Sequence, residues 1–168
     1  MRRQPVPELL EMTNNNSPVL DPDTIAELQR AKVDYGNPLL IRQLVGIYQT
    51  NAPKRIEQIR GAIAGGDAKT LGLVAHTLKT NCAMLGATAM AAICATLEKR
   101  VEKAALEQDG EKAALEQWGN EGGSGGADIE QRGEKAAFDD AAALFAQIEA
   151  EFERVLAALA QLLEGEPI

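Results

Sequence analysis

The sequence predicts an all-α protein, an antiparallel four-helix bundle with a short leading helix and an inserted segment before the last helix. Three observations predict it. Apolar residues make up 45% of the 168-residue chain but aromatics only 4%, so the core is built from Leu, Ile, Val and Ala. Those residues recur at helical spacing, and β-branched alternating runs are nearly absent. Start and stop signals then divide the chain into segments of bundle length, enough for one domain with a sizeable core.

Residues 1–18, ending Thr13-Asn14-Asn15-Asn16-Ser17-Pro18, have no periodicity and read as a mobile tail, which leaves 19–168 for the bundle. Asp21-Pro22 supplies a capping carboxylate and a proline at the first helical position, and Ile25 and Leu28 give this short helix an apolar face. Asn37-Pro38 repeats the start signal. The helix that follows carries Leu40, Leu44, Ile47, Tyr48, Ile56, Ile59 and Ile63 and stops at Gly65-Gly66, with a kink expected near residues 49–53 because Pro53 removes one backbone bond. Asp67 caps the third helix, whose stripe is Leu71, Val74, Ala75, Leu78, Cys82 and Leu85, ending near Gly86. The fourth begins at about Thr88 and buries Met90, Ile93, Cys94, Leu97 and Val101. The last runs from Ala136 to about Glu164 on Phe138, Leu144, Phe145, Ile148, Phe152, Val155, Leu159 and Leu162.

Between the last two helices lies an internal repeat. Gly110-Glu111-Lys112-Ala113-Ala114 recurs as Gly133-Glu134-Lys135-Ala136-Ala137, and removing residues 111–133 would leave a short Asp109-Gly110 loop. These residues read as an insertion. Glu102 to Gln108 also matches Glu111 to Gln117, but the shift between the two copies puts Leu106 and Leu115 on opposite helix faces. Gly122-Gly123-Ser124-Gly125-Gly126 favours a flexible linker, and Trp118 is expected to rest on the bundle, the alternative being a partner site.

A net charge of −8 makes nucleic acid an unsuitable partner, although Lys54, Arg55, Lys79, Lys99, Arg100 and Lys103 can supply a local cationic patch. No stretch of about 18 apolar residues is present to span a membrane. Arg2 and Arg3 precede no apolar leader segment, so a cytoplasmic protein is expected. Cys82 and Cys94 lie on apolar stripes and read as small buried hydrophobes rather than a disulfide or metal ligands.

His76 is the only histidine. The stripe of its helix turns it outward, and Gly72, Leu73, Lys79, Thr80 and Ala83 share its face. The turn to the fourth helix is centred on Ala87, and His76 and Glu98 are equally far from it along the chain, so they should be neighbours across two antiparallel helices. Glu98 is then either a solvated carboxylate or the acceptor of the Nδ1 proton, which leaves Nε2 as an outward nucleophile.

The run Ala75-His76-Thr77-Leu78-Lys79 followed by Leu85-Gly86-Ala87 closely resembles the core motif of histidine-containing phosphotransfer (HPt) domains. Leu20-Asp21 with Thr24, Ile25 and Leu28, the stretch Gly36 to Gly65, Ala64-Gly65-Gly66-Asp67, Cys94 with Leu97-Glu98, and Phe152 to Leu163 extend the resemblance over about residues 19–109 and 134–163. One departure stands out. Thr80 and Asn81 occupy positions where the family commonly has glycine and serine, and a threonine on the face of His76 narrows access to the ring.

The resemblance implies a phosphorelay protein that accepts a phosphoryl group on His76 from a receiver-domain aspartate and passes it to another. Lys79 would stabilise charge, Glu98 would orient the imidazole, and Gly72, Leu73, Thr80 and Ala83 would dock the partner, a response regulator or hybrid kinase receiver domain. A monomer is expected, with no cofactor or metal of its own and Mg²⁺ on the receiver. Lacking a Walker loop or glycine-rich nucleotide box, the chain reads as a phosphohistidine carrier rather than an autonomous kinase. The rival reading is an adaptor or inhibitor that binds a receiver or another helical partner without carrying phosphate, which Thr80 and the insertion favour. A hydrolase or metal enzyme fits poorly, because one histidine cannot serve a triad and leave a spare ligand.

Overall fold

The computed structural model describes residues 18–118 and 126–166, with the side chains of 107–118 and 126–137 outside the description. Five helices occupy it: α1 (Pro22–Asp34), α2 (Leu40–Gly65), α3 (Ala68–Met84), α4 (Thr88–Trp118) and α5 (Gly126–Glu164). The start signals act through hydrogen bonds to the first turn. Asp21 accepts from the Thr24 amide at 2.9 Å and Asp67 from the Thr70 amide at 2.9 Å, which satisfies donors that have no helical partner. Gly66 ends α2 at a φ of 65°, and Gly86, at 74°, turns the chain from α3 into α4. At Asn37-Pro38 the expected helix start is delayed. Asn37 instead accepts from the Leu39 amide and builds a turn, so α2 begins at Leu40 and then continues through Pro53.

Ile41, Ile59, Leu71, Leu78, Met90, Leu97, Ile148 and Leu159 are fully buried side chains from α2 to α5, and they define one core. The helical phase of α2 differs from the sequence reading at one residue. Ile47 is 60% exposed, while Ile41 and Val45 take the buried positions in that stretch. Between α2, α3 and α4 sits a sulfur-lined contact in which the buried Tyr48 hydroxyl donates to Met90 Sδ at 3.4 Å and lies 3.7 Å from Cys82 Sγ. Cys82 and Cys94 are both free and buried, and a hydrogen bond with Cys82 together with burial pushes the Cys94 thiol up, which keeps it inert.

The extents of α4 and α5 correct the sequence reading. The chain stays helical through Asp109-Gly110 to Trp118, and α5 begins at Gly126 rather than Ala136. A glycine inside a helix costs only about 1 kcal/mol, too little to end a helix whose flanks, Glu102 to Gln108 and Glu111 to Gln117, are rich in strong helix formers. The proposed tail, the Gly-Gly-Ser-Gly run and the Trp118 side chain lie outside the described residues. The segment after α5 is anchored by a contact with no sequence signal. Glu166 is buried, receives Lys32 Nζ at 2.7 Å and the Gln29 amide, and offers its carbonyl to Arg42. Lys32 holds its carboxyl below the usual carboxylate range.

Candidate functional site

Buried Leu71, Val74, Ala75, Leu78 and Cys82 fix the rotation of α3, and that rotation leaves the His76 side chain 57% exposed in mid-helix. The tight turn at Leu85-Gly86-Ala87 fixes the register of α4 against it, and Glu98 arrives beside the ring. Nδ1 of His76 lies 2.6 Å from Glu98 Oε1, and Lys79 Nζ lies 2.6 Å from Glu98 Oε2. One carboxylate therefore bridges the imidazole and the ammonium.

Glu98 is half-buried, and the Lys79 ammonium first and the His76 ring second hold its carboxyl below the usual carboxylate range. It is ionised at neutral pH and can only accept, so in the neutral ring Nδ1 keeps the proton and Nε2 carries the lone pair. Lys79 Nζ is also 3.4 Å from Nδ1, but a protonated Nδ1 offers nothing to accept with. The lysine is thus paired with Glu98 on the Nδ1 side of the ring.

The remaining residues singled out in the sequence form the surroundings. Leu73, one turn before His76, is 68% exposed, and Thr80 and Ala83 are exposed on the following turns. Gly72 is half-buried and turned toward α4, where a methyl group on it would sit 3.7 Å from Val101 Cγ1. The Thr80 hydroxyl donates to the His76 carbonyl at 3.1 Å, which fixes its rotamer against its own helix. Of the cations read as a local patch, Arg100 pairs with Asp140 of α5 at 2.6 Å, away from this face. The sequence reading missed Met84, exposed two turns beyond His76, and Lys69, exposed two turns before it. The helical period of α3 carries the signal for both. No group of three His, Cys, Asp or Glu side chains is placed to hold a metal among the described residues, and no helix there is long and apolar enough to cross a membrane.

An exposed imidazole with one nitrogen engaged by a carboxylate can act as a nucleophile through the other. Comparison with known families agrees with that chemistry. The family model described as the Hpt domain matches residues 43–165, from the first turn of α2 to the end of α5, His76 and Glu98 included. No curated protein and no solved structure matches the chain. Hpt domains are helical bundles that interact with the receiver domains of response regulators. The chain belongs to the Hpt domain family and has its general role, histidine phosphotransfer in a phosphorelay.

Proposed function

We propose that this chain is a cytoplasmic, monomeric phosphorelay carrier that accepts a phosphoryl group on Nε2 of His76 from a receiver-domain aspartate and delivers it to another receiver. The observation that carries the reading is the 2.6 Å contact of Nδ1 with Glu98, which assigns the lone pair to the exposed nitrogen. In the transfer the Asp O–P bond breaks, the Nε2–P bond forms, and the aspartate leaves as a carboxylate. Nδ1 keeps its proton, so the ring becomes positively charged as the phosphoryl group arrives. Glu98 stabilises that charge as well as setting the ring's orientation. Lys79 neutralises Glu98 in the resting state and can turn toward the phosphoryl oxygens as they approach. The chain contributes no cofactor; in this reading Mg²⁺ sits in the receiver, with Gly72, Leu73, Thr80 and Ala83 forming the docking surface.

The direct test mixes the chain with a phosphorylated receiver domain and follows acid-labile, alkali-stable phosphate. Its appearance supports the proposal, and a receiver that binds without transferring contradicts it. Glu98→Ala should slow single-turnover transfer by about 10–100-fold, the range found where a carboxylate that orients a metal-binding imidazole is removed. Glu98→Gln can still accept from Nδ1 but carries no charge, so its rate should fall between the two. Equal rates for all three would remove Glu98 from the mechanism. The depressed Glu98 carboxyl also fixes the sign of the pH effect. Its stabilising contacts are fully present above the ordinary glutamate value of about 4.3 and are lost as the pH falls through the lower folded value.

Thr80 favours a second reading, a bundle that docks receivers without carrying phosphate. Its exposed position one turn from His76 crowds the approach. Thr80→Gly should accelerate transfer despite a helix cost of about 1 kcal/mol, measured alongside by thermal melting. A wild-type chain that accepts no phosphate while the glycine variant does would establish Thr80 as the block.

A further inference from the structure

We propose that α1 is a cover that leaves the bundle without unfolding it, and that the segment after α5 is a strap whose Glu166 sets how often α1 opens. The inference rests on the fold alone and stands apart from the assignment of His76 as acceptor.

α1 contributes no buried residue, and among the described residues every member of the apolar core lies between Ile41 and Leu159. Leu28, with Val19 and Leu20 before the helix, is only partly buried against that core. The bundle from α2 to α5 is therefore packed without α1. At 13 residues, α1 is too short to keep its own hydrogen bonds in water once detached. Leaving the bundle melts it, which makes its amides direct reporters of the opening.

Polar contacts hold α1 at its two ends. Before its first turn, the Asp21 amide donates to the Gly86 carbonyl at 2.7 Å. About 16 Å further along the helix, Lys32 Nζ lies 2.7 Å from Glu166 Oε2, and the Gln29 side-chain amide donates to Glu166 Oε1 at 2.5 Å. The Glu166 side chain is 3% exposed. The strap itself is moored without help from α1. Its Glu166 amide donates to the Leu163 carbonyl at 3.2 Å, and its carbonyl accepts from Arg42 of α2 at 3.3 Å.

A carboxylate this deeply buried is stable only while it is paired. Among the described residues, both hydrogen bonds to it come from α1. The carboxylate holds α1 in place, and α1 in place satisfies the carboxylate. Both bonds are lost together when the helix leaves, so opening is a single step rather than gradual fraying. The contact at the other end of α1 is the Gly86 turn, which sets Glu98 beside His76. Through α1, the strap thus links the end of α5 to the turn that fixes the site's register.

Amide hydrogen exchange of the full chain under native conditions, repeated at rising but sub-denaturing urea, reads the opening directly. The α1 amides should exchange at least about tenfold faster than those of Leu78 and Leu97, and with a weaker urea dependence, because opening exposes less surface than global unfolding. Glu166→Gln keeps the side chain's shape, removes its charge, and should speed exchange throughout α1 by about 10–100-fold. Lys32→Met should act in the same direction from the other side of the contact. The double variant should show less than the product of the two single effects, since both remove one interaction. Glu149→Gln is the control. It breaks a tie between α5 and Arg60 of α2 that survives the opening, so α1 exchange should change by less than about twofold. The proposal is overturned if α1 shares the rate and urea dependence of Leu78 and Leu97, or if Glu166→Gln leaves α1 exchange unchanged. An equal acceleration by Glu149→Gln, or single effects that multiply in full, overturns it too. A Glu166→Gln or Lys32→Met chain that fails to fold would show that the contact belongs to the global core, which also contradicts a separate cover.

Discussion

His76→Gln should abolish phosphate acceptance from a phosphorylated receiver while moving the melting temperature by about 2 °C or less. The ring is more than half exposed, and Leu71, Leu78 and Cys82 on the opposite face of α3 hold the helix in place. Exposed substitutions of this kind change stability by about 0.5 kcal/mol, which sets the thermal limit for a chain of this size. Loss of acceptance is complete because the chain has no second histidine to take over. Glutamine keeps a polar side chain beside Glu98 and Lys79, so the pair retains a hydrogen-bonding neighbour. Residual acid-labile phosphate in the variant would mean another residue carries it. A collapse of the melting temperature would mean that the His76–Glu98 pair is structural.

Gly86→Ala should produce the largest loss of stability among single methyl additions, about 2–4 kcal/mol, or a fall in melting temperature of roughly 5–15 °C. Two costs combine there. The φ of 74° is unfavourable for a residue with a Cβ, by about 1–2 kcal/mol, and that Cβ would stand 3.1 Å from the Asp21 amide nitrogen and 3.1 Å from Thr24 Cβ. Neither neighbour can yield freely. The Asp21 amide donates to the Gly86 carbonyl at 2.7 Å, and Thr24 is held by the Asp21 carboxylate, so the start of α1 would have to shift. Gly66→Ala is the control. Its φ of 65° carries a similar conformational cost, but nothing lies within 4 Å of the added carbon. Equal losses at both positions would show that the approach of α1 to the α3–α4 turn contributes nothing.

The same turn explains why the candidate site was legible in the sequence. Leu85-Gly86-Ala87 joins two antiparallel helices so tightly that stepping equally far along the chain in each direction from Ala87 pairs His76 with Glu98, and the two side chains are 2.6 Å apart. Such counting could not assign the second oxygen of Glu98 to Lys79, because side-chain pairing is decided by rotamers rather than by helical phase. The reading failed where a local signal met an opposing context. Asp109-Gly110 looks like a loop, yet strong helix formers on both sides carry α4 through it. Ile47 looks like core, yet Ile41, Val45 and Tyr48 already fill that side of α2. The buried Glu166 was invisible for a different reason. Its partners Gln29 and Lys32 belong to α1, at the far end of the sequence, and no periodicity links them.

The most direct measurement is long-range ¹H–¹⁵N correlation of the histidine ring after phosphorylation by a receiver domain. With a single histidine, every ring signal belongs to His76. The account predicts phosphorus on Nε2 and a retained proton on Nδ1, hydrogen-bonded to Glu98. Phosphorus on Nδ1, or phosphate gained with the ring signals unchanged, would contradict it.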